Sequence, residues 1–174
     1  MKRKYLSKIL FLALAAVCFS FASCGGDDDD EETSGGSGSG TTSGITFMVP
    51  CTNWGATASQ VKSFMSSSSL ALHDETDYTL YYQDENVQRV VSYLMYGGRL
   101  VSAGVYYFGV YGDKELEYIA QETEKTYGLT LKKGAWNSEK HVYSFSGDIN
   151  GKGTDVDITL YSNGITAFFQ SNSD

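Results

Sequence analysis

Residues 89–107 read RVVSYLMYGGRLVSAGVYY, and the reading of this stretch decides the fold. Two runs rich in β-branched and aromatic residues flank Gly97-Gly98, a pair that tolerates the left-handed backbone of a tight hairpin turn. The pattern predicts an antiparallel hairpin with arms 89–96 and 99–107. Side chains alternate along a strand, so Val91, Tyr93 and Met95 share one side and Val90, Leu94 and Tyr96 the other. On the second arm Val101, Ala103, Val105 and Tyr107 form the more uniformly apolar stripe, which predicts that Tyr107 points into the core. Tyr106 then points away, together with Leu100, Ser102 and Gly104. Both sides are fairly apolar, so the expectation is that helices cover one and a partner or loop covers part of the other.

Working outward, Thr57-Ala-Ser-Gln60 has the spacing of a capping box, and Val61, Phe64 and Met65 follow at helical intervals. A short helix is expected from Ala58 to about Ser66. Ile45 to Val49 reads as an edge strand or a lead-in, and Asp77 to Gln83 as a strand. Asp113 is expected to cap a second helix running to about Thr126, with Leu116, Ile119, Ala120 and Thr123 as its buried stripe and Gly128 as its C-cap. A short strand over 129–132 is followed by strands over 141–146, 155–161 and 165–170, the last two joined through Asn163-Gly164. The class is therefore α+β: antiparallel sheet with two short helices on one face. The glycine turns at 97–98 and 163–164 occupy corresponding places, as in two α-β-β-β units, although chance alternation gives the same pattern.

The N-terminus reads as an address. Lys2, Arg3, Lys4 and Lys8 precede a mostly apolar run from Ile9 to Phe21, too short to span a bilayer and suited to a secretory signal. Phe21-Ala22-Ser23-Cys24 resembles the bacterial lipobox. That resemblance implies cleavage before Cys24, acylation of its sulfur and amine, and attachment to a lipid bilayer through two or three chains, which anchor stably. Gly25 to Glu32 (GGDDDDEE) resembles the acidic export tag of Bacteroidetes-type lipoproteins, which implies an outer-membrane protein facing the cell surface. Residues 33–44, TSGGSGSGTTSG, carry no apolar side chain and read as a flexible tether. The organisation is thus signal peptide 1–23, lipidated acidic tether 24–44 and one globular domain 45–174.

The whole chain has 174 residues, 13 Lys+Arg against 21 Asp+Glu, and a net charge of −8. An acidic chain lacks the clustered cations that phosphate binding needs, so no nucleic-acid partner is expected. With Cys18 in the signal and Cys24 acylated, Cys51 is the domain's lone cysteine, read as a small buried thiol. The stretch 148–157 (DINGKGTDVD) has the oxygen spacing of a calcium loop at Asp148, Asn150 and Gly153. Lys152 stands where a ligand belongs, however, and Thr159 where a bidentate carboxylate is required, so a polar hairpin loop is favoured. His73-Asp74-Glu75 lacks further ligands and reads as a solvated loop. His141 has no acid fixed beside it in sequence. No metal, no cofactor and no catalytic constellation are assigned, and the protein is not expected to be an enzyme.

The unusual feature is tyrosine: 12 of the 13 fall between Tyr78 and Tyr161. Tyrosine offers rigid area with a hydroxyl, which suits protein interfaces and sugar stacking, though alternate tyrosines also simply fill a sheet. Tyr82, Tyr96 and Tyr106 are the candidate ligand-binding residues. PCTNWGATASQVKSFM (residues 50–65), TYGLTLKKGAW (126–136) and TDVDITLYSNGITAFF (154–169) resemble small uncharacterised Bacteroidetes lipoproteins. The resemblance implies a fold like the β-lactamase inhibitor protein or the small lipoproteins of outer-membrane assembly, and carries over no functional residue. The functional expectation is an outer-membrane-anchored binding module with a protein or glycan partner. The alternative is a structural or assembly-accessory envelope lipoprotein without a small-molecule ligand.

Overall fold

Helix α1, Ala58–Met65, begins where its sequence predicts: the Thr57 hydroxyl accepts from the Gln60 N–H, and the Gln60 side chain accepts from the Thr57 N–H. The computed structural model describes residues 44–131 and 141–172. The expected signal peptide, lipidated Cys24 and acidic tether lie outside the described residues, apart from Gly44. Removing the cap with Thr57→Ala is expected to cost about 1 kcal/mol, read as a lower urea midpoint with an unchanged slope.

The strands are β1 Ala71–Glu75, β2 Thr79–Gln83, β3 Arg89–Tyr96 and β4 Arg99–Phe108, then, after helix α2 Asp113–Tyr127, β5 Thr130–Leu131, β6 Val142–Ile149, β7 Lys152–Tyr161 and β8 Gly164–Ser171. They form one antiparallel sheet in the order β1-β2-β3-β4-β8-β7-β6-β5. Each half is therefore a helix followed by four strands, one more than an α-β-β-β unit has, the added strand being β1 in the first half, and the halves meet where β4 pairs with β8. The fold is α+β. Helix α2 buries Leu116, Ile119, Ala120 and Thr123, the stripe its periodicity predicts, and ends at Gly128 in the left-handed conformation.

Five expectations need correction. The loop assigned to His73-Asp74-Glu75 is edge strand β1, exposed throughout and irregular in register around His73. A bulge and charged residues are common devices for blunting a sheet edge, and they also erase the alternation by which sequence reveals a strand. The N-cap of α2 is Gly112, whose N–H donates to the Glu115 carboxylate at 2.8 Å, so Asp113 is the first helical residue. The polar loop over 148–157 shrinks to a two-residue turn. Asn150 and Gly151 both take positive φ (56° and 78°), the geometry of a tight hairpin turn, and β7 starts at Lys152. The turn between β7 and β8 is Ser162-Asn163, with Gly164 already in the strand.

The fifth correction concerns Leu100. The register between β3 and β4 shifts after Leu94, so Met95 pairs with Leu100 and Val101 is the extra residue. The bulge turns Leu100 into the core, away from the side on which strict alternation places it. Beyond the bulge the alternation holds. Tyr107 is 1% exposed and Tyr106 half-buried on the opposite face.

Both helices pack on the Tyr107 side, where one core cluster joins α1 (Val61, Met65) and α2 (Leu116, Ile119) to the sheet (Tyr93, Val105, Ile158, Phe169). Residues 45–56 cross this side as an irregular lead-in without strand pairing of their own. Core tyrosines hold them: the Tyr107 hydroxyl accepts from Met48 N at 2.9 Å, and the Tyr93 hydroxyl from Cys51 N at 3.0 Å. Trp54 Nε1 donates to Thr154 Oγ1 at 2.8 Å, and Asn150 Nδ2 to the Thr52 carbonyl at 3.1 Å. No described helix is long and apolar enough to cross a membrane.

Candidate functional site

The face turned away from the helices follows from strand register. Paired residues in antiparallel strands point the same way, so Ser92, Gly104, Phe168 and Asp157 form one row, with Tyr81 before them and Ser144 after. Five interstrand spacings give the row a span of roughly 24 Å. On one side of it runs Leu94–Ser102–Gln170–Asp155, and on the other Val90–Tyr106–Thr166–Thr159.

These residues divide the face in two. Around β2, β3, β4 and β8 it is aliphatic and aromatic, with Val90 and Leu94 buried yet outside the core cluster, and Tyr81, Tyr106 and Phe168 half-buried. Around β7 and β6 it is acidic and hydroxylic, with Asp155, Asp157, Ser144 and Ser146 half-buried. Ser144 donates to Asp157 Oδ1 at 2.6 Å, which orients that carboxylate. At the centre, Ser92 and Ser102 are each 0% exposed, and neither hydroxyl has a hydrogen-bond partner. A buried hydroxyl left unbonded costs about 1–3 kcal/mol, so two on adjacent strands make a polar demand that the sheet itself does not meet.

The three tyrosines singled out from sequence do not gather on this face. Tyr106 lies on it. Tyr96 lies at the β3–β4 tip, 65% exposed. Tyr82 does not belong to it: paired with Val91 on the helix side, it is 4% exposed and meets Tyr93 edge-on at 6.1 Å. Tyr81, its neighbour, takes the outward position, since the two residues of a Tyr-Tyr pair in a strand face opposite ways. Sequence reasoning also missed Ser92, Ser102, Phe168, Asp155 and Asp157. The signal for Phe168 was present, because in ITAFFQ the first phenylalanine alternates with Thr166 and Gln170 and the second with Ile165 and Ala167.

The other candidates have structural employment. Asp148 Oδ1 accepts from Gly151 N at 2.7 Å and so closes the β6–β7 turn, while Asn150 holds Thr52. The His73 ring lies 5.9 Å from that of Tyr81, Asp74 accepts from Glu75 N, and Glu75 pairs with Lys62 at 2.6 Å. His141 Nδ1 lies 2.9 Å from Asp113 Oδ1. Among the described residues no cluster of three or more His, Cys, Asp or Glu is placed to hold a metal. Cys51 is buried, and desolvation pushes its thiol above the ordinary value, with a smaller opposing effect from the Asn53 backbone. That disfavours the thiolate a nucleophile needs.

Burial likewise pushes the Tyr93, Tyr107 and Tyr127 phenols above the ordinary value, by desolvation first in each case. A folded pKa above the unfolded one, about 10, means that the folded state holds protons which the unfolded chain releases. Stability is therefore complete below that pH and falls as pH rises beyond it toward the folded values. Alkaline titration followed by tyrosinate absorbance should show a cooperative late step coincident with loss of secondary structure. Replacing Tyr107 by Phe should reduce the pH dependence of unfolding above about pH 10.

No family model matches this chain, and neither a curated protein nor a solved structure is significantly similar to it.

Proposed function

We propose that the protein is a lipid-anchored interaction module of the outer membrane, displayed toward the cell surface, which binds its partner on the sheet face opposite the helices. The observation that carries the reading is the second sheet face itself, where the half-exposed rings of Tyr81, Tyr106 and Phe168 stand beside the half-exposed carboxylates of Asp155 and Asp157, outside the core that the helices complete. The protein's function is binding rather than catalysis, and the fold serves to hold one face rigid on a core built on the other.

The anchor rests on sequence. Cys24 follows a lipobox-like Phe21-Ala22-Ser23, and Asp27 to Glu32 resembles an export tag. Cys24→Ala is expected to abolish metabolic palmitate labelling and release the domain in soluble form; label persisting on the mutant would refute lipidation. Replacing Asp27 to Glu32 by alanine should keep membrane attachment but reduce digestion by protease added to intact cells. Unchanged digestion would reduce the acidic run to a spacer.

A further inference from the structure

We infer that residues 44–49 form a strap that lifts from the core as a unit, turning about Pro50, while the sheet and both helices stay folded. This segment lies on the helices' side, away from the outward sheet face, and joins the domain to the N-terminal chain.

The two halves of the lead-in are held very differently. Residues 51–56 are fastened to the sheet by directional bonds. Cys51 N donates to the Tyr93 hydroxyl, the Thr52 carbonyl accepts from Asn150 Nδ2, and Trp54 Nε1 donates to Thr154 Oγ1. Gly55 N donates to the Leu100 carbonyl at 2.9 Å and Leu100 N to the Ala56 carbonyl at 2.8 Å, which joins this half to the start of β4 in both directions. Residues 44–50, by contrast, make a single hydrogen bond among the described residues, from Met48 N to the Tyr107 hydroxyl. Apolar contact supplies the rest of the grip: Ile45 is buried, Phe47 and Met48 are partly buried against the core, and Thr46 and Val49 are exposed. Such contact is non-directional, and the segment has no ladder of backbone bonds that would tie its opening to that of the sheet.

A second observation lies at the strap's entry end. A cavity of about 180 Å³ is lined there by Gly44, Ile45 and Thr46 on the strap and by Arg89, Tyr107 and Tyr111 on the domain. Side chains that border a cavity forfeit the packing contacts a filled space would give them. Pro50, with its fixed φ, is a stiff joint between the loosely held half and the fastened one. Residue 44 continues directly into the Gly/Ser-rich stretch 33–44. A pull on that stretch, or capture of it by a partner, therefore reaches the strap first, and breaks the Met48–Tyr107 bond before any strand parts.

The test compares two amides that make the same kind of bond on either side of Pro50. In the full chain held in a nonionic detergent, native-state hydrogen exchange of Met48 N–H, corrected for intrinsic rates, should be at least about tenfold faster than that of Cys51 N–H and nearly independent of urea below the unfolding transition. Exchange of Met48 with the rate and urea dependence of Cys51 would mean that the strap opens only with the domain, and overturns the inference. Thiol labelling of Ile45→Cys, with each modified site identified by peptide mass, separates lifting of the whole strap from a local excursion at Met48. The thiol at position 45 should react at least about tenfold faster than that of Cys51, again with little dependence on urea. Protection at position 45 equal to that of Cys51 confines the motion to Met48 and also overturns the inference.

Discussion

Tyr107→Ala should destabilise the domain by about 3–5 kcal/mol and lower its melting temperature by roughly 10–20 °C, while Tyr106→Ala should cost about 1 kcal/mol. The two residues are adjacent in sequence and identical in type, so only the face distinguishes them. Tyr107 fills core volume at 1% exposure, and its hydroxyl accepts from Met48 N, tying down the lead-in that crosses the helices' side. Truncation removes the ring, leaves a cavity and strands the Met48 N–H. Tyr106 lies among Val90 and Thr166 on the other face, outside the core cluster. Thermal melts of both single mutants decide the matter. Equal losses would mean that both faces are structural, and the binding surface would fall with that result.

Gly164→Ala should cost about 3 kcal/mol, the upper end of what an added methyl does in a packed site. Gly164 opens β8 opposite Phe108, at the seam between the halves, and a Cβ there would collide with the Tyr107 carbonyl oxygen. Backbone, unlike a flexible side chain, cannot step aside without parting β4 from β8. Gly151→Ala is the control: its φ is +78°, but nothing lies within 4 Å of the added carbon, so only the left-handed penalty of about 1–2 kcal/mol applies. Urea denaturation of the pair should separate them, and equal midpoints would mean that the seam tolerates the methyl.

Much of this architecture was legible in the residues. Gly97-Gly98 announced its hairpin because both glycines accept the positive φ that a two-residue turn requires, and the 3.6-residue recurrence of Leu116, Ile119, Ala120 and Thr123 revealed one helix face. Edge strand β1 was illegible because it is exposed on both sides, leaving no alternation to read. Leu100 was misplaced because a bulge adds one residue and reverses parity beyond it, which no period-two pattern can signal. Asn150-Gly151 was passed over for a different reason: its neighbouring acids matched a metal loop in part, and that partial match obscured a strong turn pair.

The binding face was the least legible part. Its residues come from six strands, and only the pairing register brings Ser92, Gly104, Phe168 and Asp157 into line. Tyrosine abundance pointed to a face but not to its side, since the buried Tyr82, Tyr93 and Tyr107 are as numerous as the outward Tyr81, Tyr96 and Tyr106.

The most direct test of the two-sided sheet is native-state thiol labelling of two neighbouring variants on β8, Thr166→Cys and Ala167→Cys. Thr166 is half-exposed on the outward face and Ala167 is 1% exposed against the core, so the account predicts rapid modification at 166 and protection at 167. Equal protection at the two positions would contradict it.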